Sequence, residues 1–385
     1  MMTPAAKLER WITPGTRVAI GDGVGAPRRL ARTVSEAAAE VGDVDLLLGW
    51  VPQGGELDVD LEAFASIRTL IGGYALRGAV DAGTVRYVAA RLGTAPALVS
   101  GPLRPDVLVA SVSSAPDGYR LTTESAWQRA AIDAGAFVLG LERSAVPALD
   151  AGPALPGDRV VVIGSSDDRP ADVLWGDPGE VHRAVAERVI PLVPAGVRLQ
   201  YGPGPIGTAV LEALDRPVHV DTGMLTDALV DLDRRGLLLG TALAPYAGGT
   251  DRLYEWAPGR GQVDRLERTH DPVRLSTEPP LIAVNTALEI DLDGQVNVES
   301  VGGSTVACIG GHPDYAFAAA RSIRGLSIVA LPTQRGRHRT LVDRLSAPAS
   351  TPSHDVDVVA TERGVADLRG LDRSERRAAI AALWE

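Results

Sequence analysis

Short apolar, β-rich runs alternate with amphipathic stretches along the whole chain. This alternation is typical of α/β units, in which parallel strands are buried on both faces of the sheet. In each half, a strand runs into a glycine-rich turn and then a helix, as VAIGDGVGAPRRLARTV in the first half and RLQYGPGPIGTAVLEAL in the second. The pattern predicts an α/β fold made of two similar domains with mostly parallel sheets.

Individual elements follow from the same patterns. Proline fits the first turn of a helix over 27–41, where Leu30, Val34 and Ala38 recur on one face. The Asp293-Gly294 pair predicts the turn of a hairpin over 287–298. The predicted strands are 18–20, 44–48, 107–112, 136–141, 160–163, 197–201, 218–220 and 281–284, and the second half carries predicted helices over 206–214 and 225–235.

Two segments lack such periodicity. Residues 167–180 are polar and contain Pro170, Gly176 and Pro178, which indicates a linker. The predicted domains are therefore 1–177 and 178–385. Residues 254–278 show little pattern and are predicted to be a surface excursion.

Composition limits the function. A length of 385 residues suits two domains. The net charge of −11 argues against a nucleic-acid partner. No apolar run has the roughly 18 residues that a membrane-spanning helix needs, and the first residues have no apolar core typical of a secretory signal. We therefore expect a cytoplasmic protein without a membrane or nucleic-acid partner.

Metal ligands are also poorly represented. Cys308 is the one cysteine, which excludes an internal disulfide and a multi-cysteine metal site and suits a reducing compartment. The six histidines form no H-x-x-x-H pair. We expect no metal cofactor, and we expect Cys308 to pack as a small apolar side chain.

Glycine clusters mark three candidate sites. Gly21, Gly23 and Gly25 lie between a predicted strand and helix, where backbone amides and the helix N-terminus can bind an oxyanion or a phosphate. The Rossmann register and the Walker lysine are absent, so a tight structural turn is the alternative. The second cluster, 202–207, contains two prolines and would form a rigid wall with few amide donors.

The third cluster contains Gly310, Gly311 and His312. His312 is either catalytic or simply solvated, and Asp314 could cap the helix that follows. A serine-nucleophile elbow is not indicated, because the sequence contains no G-x-S-x-G.

Several ordered blocks carry a resemblance to a known family. They are LQYGPGPIGTAVLEAL, GMLTDALVDLDRRG, NTALEIDLDGQVNVESVGG, GGHPDYAFAAARS and VDVVATERGVADLRG in the second half, with looser agreement at GDGVGAPRRL, IGGYALRGAV and PDVLVASVSSAPDGY in the first. These blocks resemble the acetyl-CoA hydrolase/transferase family, which includes 4-hydroxybutyrate and butyrate CoA-transferases. The resemblance implies two CoA-transferase-type α/β domains. It also implies an acyl-CoA substrate, and a small carboxylic acid as acceptor where CoA is transferred.

One position departs from the family pattern. In that family a glutamate attacks the acyl-CoA thioester and becomes a glutamyl-CoA thioester, and an oxyanion pocket stabilises each tetrahedral intermediate. The glutamate lies in a pattern of the form H-[ST]-E-M, and this chain has Asp221-Thr222-Gly223-Met224 there. Gly223 thus occupies the nucleophile position and leaves it vacant.

Three interpretations remain open. Asp221 could substitute for the nucleophile, since residues i and i+2 of a strand point to one face, although a solvated strand-end role is its alternative. Water could attack instead, activated by Asp221, His312 or Glu299, which would make the protein a hydrolase. The chain could also be a catalytically silent CoA-binding protein or a partner-dependent subunit. We favour hydrolysis of an acyl-CoA without a glutamyl-CoA intermediate.

The resemblance also assigns binding residues. Oxyanion donors are expected at Val24, Gly25, Gly310 and Gly311, and contacts to CoA at Gly202, Gly204, Asp314 and Tyr315. Glu299 and Glu362 fall in family blocks, but a structural role beside arginine is the alternative for both. A homodimer is expected.

Overall fold

The computed structural model describes residues 8–52, 58–145 and 149–385. The chain divides into two compact units. The first unit comprises residues 1–90, 94–173 and 245–267. The second unit comprises residues 91–93, 174–244 and 268–385.

Each unit is made of three separate segments, whereas the sequence predicted two continuous domains, 1–177 and 178–385. Residues 245–267 belong to the first unit, where the Tyr246 hydroxyl donates to Asp22 Oδ2 at 2.9 Å and the Val263 amide donates to the Asp150 carbonyl at 2.8 Å. Residues 91–93 belong to the second unit, where the Leu92 amide donates to the Gly310 carbonyl at 2.9 Å. The chain passes from one unit to the other after residue 173, inside a stretch, 167–179, that has no regular helix or strand.

Strands of both units are short. In chain order over the described residues they are β1 (Arg17–Ile20), β2 (Asp45–Leu48), β3 (Ser66–Thr69), β4 (Arg86–Tyr87), β5 (Val107–Ala115), β6 (Gly118–Leu121), β7 (Phe137–Arg143), β8 (Val160–Ser166), β9 (Arg198–Tyr201), β10 (His219–Val220), β11 (Ala242–Ala244), β12 (Gly261–Val263), β13 (Leu281–Asn285), β14 (Glu289–Asp291), β15 (Val296–Asn297), β16 (Ser300–Val301), β17 (Ser304–Thr305), β18 (Leu326–Ala330), β19 (Gln334–Arg335), β20 (His338–Arg339), β21 (Leu341–Val342), β22 (Val358–Thr361) and β23 (Gly364–Asp367).

The α-helices of the same ranges are α1 (Arg28–Val41), α2 (Arg77–Asp81), α3 (Ala95–Val99), α4 (Gln128–Asp133), α5 (Glu180–Val189), α6 (Pro205–Ala213), α7 (Asp227–Arg234), α8 (Asp251–Trp256), α9 (Leu266–Thr269), α10 (Pro272–Leu275), α11 (His312–Arg321) and α12 (Arg373–Ala382). Short 3-10 helices cover Leu61–Ala63, Tyr74–Leu76, Leu92–Thr94, Gly157–Arg159, Ile190–Leu192 and Ser353–Asp355. No helix of the described ranges is long and apolar enough to cross a membrane.

The main sheet of the first unit has the order β4-β3-β2-β1-β5-β7-β8, and all of these neighbours are parallel. Strand β6 pairs with β5 in the antiparallel sense. The chain runs outward from β1 to β4 and then returns to β5 on the other side of β1. The glycine turn that follows β1 therefore lies at the switch point of the sheet, where ligands of open α/β sheets bind.

The main sheet of the second unit has the order β10-β9-β13-β18-β22-β23. Its neighbours are parallel except for the last pair, β22 and β23. The parallel strands end at one edge, so the segments after β9, β10, β13, β18 and β22 all meet there. The predicted α/β class with mostly parallel sheets is confirmed.

Most predicted elements occur within a residue or two of their expected bounds. The predicted helix over 27–41 is α1, whose face of Leu30, Val34 and Ala38 is buried in the core of the first unit. The hairpin predicted over 287–298 is β14 and β15, with Ile290 opposite Val296. Strands β5 and β8 run beyond their predicted ends.

The surface excursion predicted over 254–278 is wrong. This segment contains β12, α9, α10 and the end of α8, and it buries Tyr254, Leu266, His270 and Leu275. Its elements are three to six residues long, too short for a hydrophobic period to appear in the sequence.

Gly207 is predicted to be indispensable to the turn between β9 and α6. A Cβ atom at Gly207 would lie 1.9 Å from the Gly202 carbonyl oxygen, so a side chain would force the turn apart. We expect Gly207→Ala to lower the free energy of unfolding by about 2 kcal/mol or more, as for other overpacked sites. Urea unfolding checks this. Gly223→Ala is the matched control, because no described atom beyond its chain neighbours lies within 4 Å of a Cβ placed there. Equal stability of the two variants would contradict the prediction.

Candidate functional site

The carboxyl edge of the second-unit sheet carries four of the predicted site residues. Gly202 and Gly204 follow β9, Asp221 and Gly223 follow β10, and Asn285 ends β13. The Gln200 and Asn285 side-chain amides bond to each other at 3.0 and 2.8 Å, which fixes β9 against β13. Ligand sites of parallel sheets form at such an edge.

The Gly202–Gly204 turn offers few backbone amides as hydrogen-bond donors, as its prolines predict. The Gly202 amide already donates to the Val284 carbonyl at 2.9 Å. Gly204 has a φ of +127° and precedes Pro205, the first residue of α6. A Cβ atom at Gly204 would meet no described atom within 4 Å, so the turn presents open backbone.

Gly223 combines a fixed backbone with open space. The preceding residue, Thr222, donates its amide to the Leu243 carbonyl at 2.9 Å and its hydroxyl to the Tyr201 carbonyl at 2.7 Å. A Cβ atom at Gly223 would have no described atom within 4 Å other than its chain neighbours. The structure therefore leaves room for a side chain at this position, and the sequence supplies none.

Asp221 is not the solvated strand-end residue that one interpretation expected, since only 7% of it is exposed. Arg274 donates from Nη1 and Nη2 to the two carboxylate oxygens, at 2.8 Å each. Arg198 Nε lies 3.0 Å from Oδ2. Both oxygens of Asp221 are thus held by guanidinium groups, which is the geometry of a buried structural ion pair.

The Gly310–Gly311 turn leads into α11. Gly310 has a φ of +60°, which favours glycine. A Cβ atom at Gly311 would lie 2.2 Å from His270 Nε2, so only glycine fits against this imidazole. The Gly310 amide faces the Cys308 thiol, a weak acceptor.

Asp314 does not cap α11, contrary to expectation. The residue at the N-cap is Gly311, and no side chain caps it. Asp314 Oδ2 instead accepts the Gly93 amide at 2.9 Å. Burial raises the pKa of Asp314 to about 6.

His312 is a buried residue rather than a solvated one, with 8% of its surface exposed. Its Nδ1 lies 2.6 Å from the Thr351 hydroxyl. Its Nε2 is buried and has no hydrogen-bond partner in the described part of the chain. Burial lowers the pKa of His312 to about 4, so the imidazole is neutral near pH 7 and can accept a proton.

His270 and Tyr315 form a second buried pair beside the same turn. Their ring centroids are 4.8 Å apart, and Tyr315 is only 1% exposed. Burial lowers the pKa of His270 to about 3. Sequence reasoning missed His270, because it lies in the aperiodic segment and no glycine flanks it. Tyr315, expected to contact CoA, packs inside the second unit.

Three further side chains lie near the turn or at the edge. Glu299 is buried and accepts the Ser350 hydroxyl at 2.8 Å. Burial, and then the nearby Glu299 carboxylate, raise the pKa of the Cys308 thiol to about 12, so this cysteine is no thiolate. Glu362 accepts the amide of Thr333 at 2.9 Å and also its hydroxyl.

The first-unit glycine turn packs on a carboxyl group that the sequence did not indicate. Cβ atoms at Gly23 and Gly25 would each lie 2.7 Å from an oxygen of Glu124. The Gly25 amide donates to Glu124, and Val24 is buried. An oxyanion bound at Gly25 would have to displace this carboxyl group.

Within 8–52, 58–145 and 149–385, no group of three or more histidine, cysteine, aspartate or glutamate side chains is placed to hold a metal ion.

The fold is that of CoA-transferase-type proteins. A crystal structure of RipA from Yersinia pestis superimposes with a TM-score of 0.90 at 22% identity and covers 100% of this chain and 94% of that one. A 4-hydroxybutyrate CoA-transferase from Porphyromonas gingivalis superimposes with a TM-score of 0.79 at 22% identity, over 100% of this chain and 94% of that one.

Parts of the sequence are similar to a known family and to curated proteins. Residues 249–383 match the acetyl-CoA hydrolase/transferase C-terminal domain. The 4-hydroxybutyrate coenzyme A transferase of Clostridium kluyveri is 28% identical over 220 residues, which are 52% of this chain and 51% of the relative. The chain thus spans about half the length of the curated relatives it matches. Over residues 249–383 the chain is therefore similar to the acetyl-CoA hydrolase/transferase family.

Asp221→Asn separates the structural role of this carboxylate from a catalytic one. Removing the charge would leave Arg198 and Arg274 without their shared partner, and breaking a buried ion pair costs about 3 kcal/mol or more. We expect that loss in denaturant unfolding. Asp215→Asn is the control, since Asp215 is largely exposed and its partner Arg216 is partly exposed. A stability loss no larger than that of Asp215→Asn would contradict this role.

Proposed function

We propose that this protein hydrolyses an acyl-CoA thioester with water, without forming a glutamyl-CoA intermediate. The observation that carries the proposal is the open space at Gly223, which follows β10. The family resemblance predicts that this position corresponds to the family's glutamate. The vacancy supplies room for water. The neighbouring carboxylate, Asp221, is saturated by Arg198 and Arg274 and is a poor substitute nucleophile.

His312 is the proposed general base. Its Nδ1 is anchored to Thr351, which leaves Nε2 to take the proton. In the proposed step, the water oxygen bonds to the thioester carbon while His312 Nε2 takes a proton from the water. The tetrahedral intermediate then breaks its C–S bond, and the CoA sulfur takes that proton, so that a carboxylic acid and CoA leave.

The N-terminus of α11 is the proposed oxyanion site. Gly310 and Gly311 precede His312 there, and the helix dipole favours negative charge. The bond from the Gly310 amide to the Cys308 thiol is weak and can be exchanged for one to an oxyanion. Val24 and Gly25 stay predictions as further donors, as do Gly202, Gly204, Asp314 and Tyr315 as contacts to CoA.

The alternative is CoA transfer to a small carboxylic acid through Glu299. The name of the Clostridium kluyveri relative, 4-hydroxybutyrate coenzyme A transferase, favours it. Glu299 is a buried carboxylate at the start of the segment that leads to Gly310.

Incubation with a panel of acyl-CoA esters, with and without acetate as acceptor, tests both proposals. Hydrolysis predicts free CoA with water alone and no change in the intact mass of the protein. Transfer predicts turnover that requires the acceptor, with an acyl or CoA adduct on the protein. Binding without turnover would identify a silent CoA-binding protein, and no binding would overturn the proposed substrate class.

Replacement of His312 tests the base. Asn at 312 can keep a polar atom near Thr351 and removes Nε2, so we expect kcat/KM to fall about 100-fold or more. His354→Asn, at an exposed histidine, is the matched control. Because a protonated imidazole cannot accept a proton, wild-type kcat/KM should be flat between about pH 5.5 and 7 and fall near pH 4. Unchanged turnover in His312→Asn would exclude this base.

A glutamate placed at residue 223 tests whether this is the position of the family's nucleophile. We expect Gly223→Glu to gain CoA transfer and a covalent adduct, because the open space accepts the side chain and a carboxylate can attack the thioester. Gly223→Gln has the same shape without the nucleophile and should gain neither. Intact-mass spectrometry after acyl-CoA addition is the measurement. Adducts on both variants, or on neither, would contradict the assignment of this position.

A further inference from the structure

Asp22 lies at the centre of the first-unit glycine turn. Its Oδ2 accepts the Trp50 amide at 3.0 Å, Trp127 Nε1 at 2.9 Å and the Tyr246 hydroxyl at 2.9 Å. Gln128 Nε2 lies 3.5 Å from Oδ1. Burial raises the pKa of Asp22, and the bonds from Trp50, Trp127 and Tyr246 oppose that rise because they favour the ionised form.

Glu124 is the second carboxyl group of this turn, and it is buried as well. The Thr123 hydroxyl donates to its Oε2 at 2.6 Å, and the Gly25 amide donates to the carboxyl group. Its oxygens also lie where Cβ atoms of Gly23 and Gly25 would be. The backbone of the turn is therefore packed directly on Glu124.

One cation, Arg143, acts on the Glu124 carboxyl group. Arg143 is buried and donates from Nη1 to the Gly25 carbonyl at 3.3 Å and from Nε to the Asp168 carbonyl at 3.1 Å. The charge of Asp168 acts to raise the pKa of Arg143, and the charge of Arg28 acts to lower it. The Tyr246 phenol is the other titratable group in contact, and it bonds to Asp22. Arg143 thus acts on Glu124 while it is itself bonded to carbonyl oxygens.

We propose that Glu124 is a positioning residue that clamps the Gly21–Gly25 turn as a neutral carboxylic acid, and that its ionisation loosens the turn. The clamp itself does not require the proposed hydrolysis. Only an activity readout rests on that function.

The electrostatics set the direction of the effect. Burial, and then the neighbouring Asp22 charge, raise the pKa of Glu124 to about 8, which outweighs the hydrogen bonds from Thr123 and Gly25 and the charge of Arg143. An ordinary glutamate in the unfolded chain has a pKa near 4.5. The folded state therefore loses stability as pH rises from about 4.5 to about 8, because the unfolded chain releases this proton first. Above pH 8 the second buried charge also forms in the folded state, next to Asp22.

Glu124→Gln separates the clamp from a purely structural role, since the amide keeps the shape and cannot ionise. We expect its melting temperature to rise relative to wild type as pH increases from 5 to 8, by several degrees, and the difference to level off above pH 8. Glu40→Gln, at an exposed position of α1, should follow wild type at every pH. Equal pH profiles of Glu124→Gln and wild type would overturn the proposal.

Infrared spectroscopy reports the proton directly. At pH 6 the wild type minus Glu124→Gln difference spectrum should contain one protonated carboxylic acid band, which disappears through about pH 8. Absence of this band at pH 6 would refute a neutral Glu124. If Glu124→Gln does not fold, Asp22→Asn serves instead. Removing the Asp22 charge should lower the pKa of Glu124 and move the loss of the protonated-carboxyl band to lower pH. An unchanged band would overturn the proposal.

The pH dependence of enzyme activity gives an independent test of the clamp. If the protein hydrolyses acyl-CoA, wild-type kcat/KM should fall above about pH 8 and that of Glu124→Gln should not. A kcat/KM that falls above about pH 8 in the wild type and not in Glu124→Gln supports the clamp. An absence of hydrolysis in both proteins would count against the proposed function, while the melting and infrared results would still decide the clamp.

Discussion

Arg198, Asp221 and Arg274 form the buried ion-paired cluster on which the second unit depends most. Asp221 lies just after β10, Arg198 begins β9, and Arg274 lies in α10. Arg198 Nη1 also donates to the Arg274 and Leu275 carbonyls, at 3.0 and 3.1 Å. One carboxylate thus fixes two strand ends and a short helix that has too few residues to be stable by itself.

Two members of the cluster are close in sequence to residues of the candidate site. Gly223 lies two residues after Asp221, and His270 lies four residues before Arg274. His270 in turn fills the space where a side chain at Gly311 would be. Gly223 and His270 thus lie within four residues of the ion-paired side chains. A carboxylate bound in this way is suited to position neighbouring groups, while the unbonded Nε2 of His312 is suited to accept a proton.

The sequence predicted what local patterns encode. Strands such as β1, β2 and β13 are runs of apolar residues, and α1 has a clear amphipathic period, so their positions could be predicted closely. Gly223 became visible only through the family resemblance, since a glycine has no local signal of its own. The arginine partners of Asp221 were not predictable, because Arg274 is 53 residues away in a segment without periodicity. Glu124 was hidden for the same reason: its importance comes from backbone about a hundred residues earlier in the chain.

The discontinuous composition of the units has a consequence for synthesis of the protein. Residues 245–267 complete the first unit and supply the Tyr246 hydroxyl that bonds to Asp22. A ribosome that has made residues 1–177 has therefore not yet made every part of the first unit, and the rest of segment 174–244 of the second unit emerges in between. Domains generally fold as units during synthesis, from the N-terminus onward. Here the first unit must wait as an incomplete intermediate, with a buried carboxylate lacking one of its donors, until translation has passed residue 267.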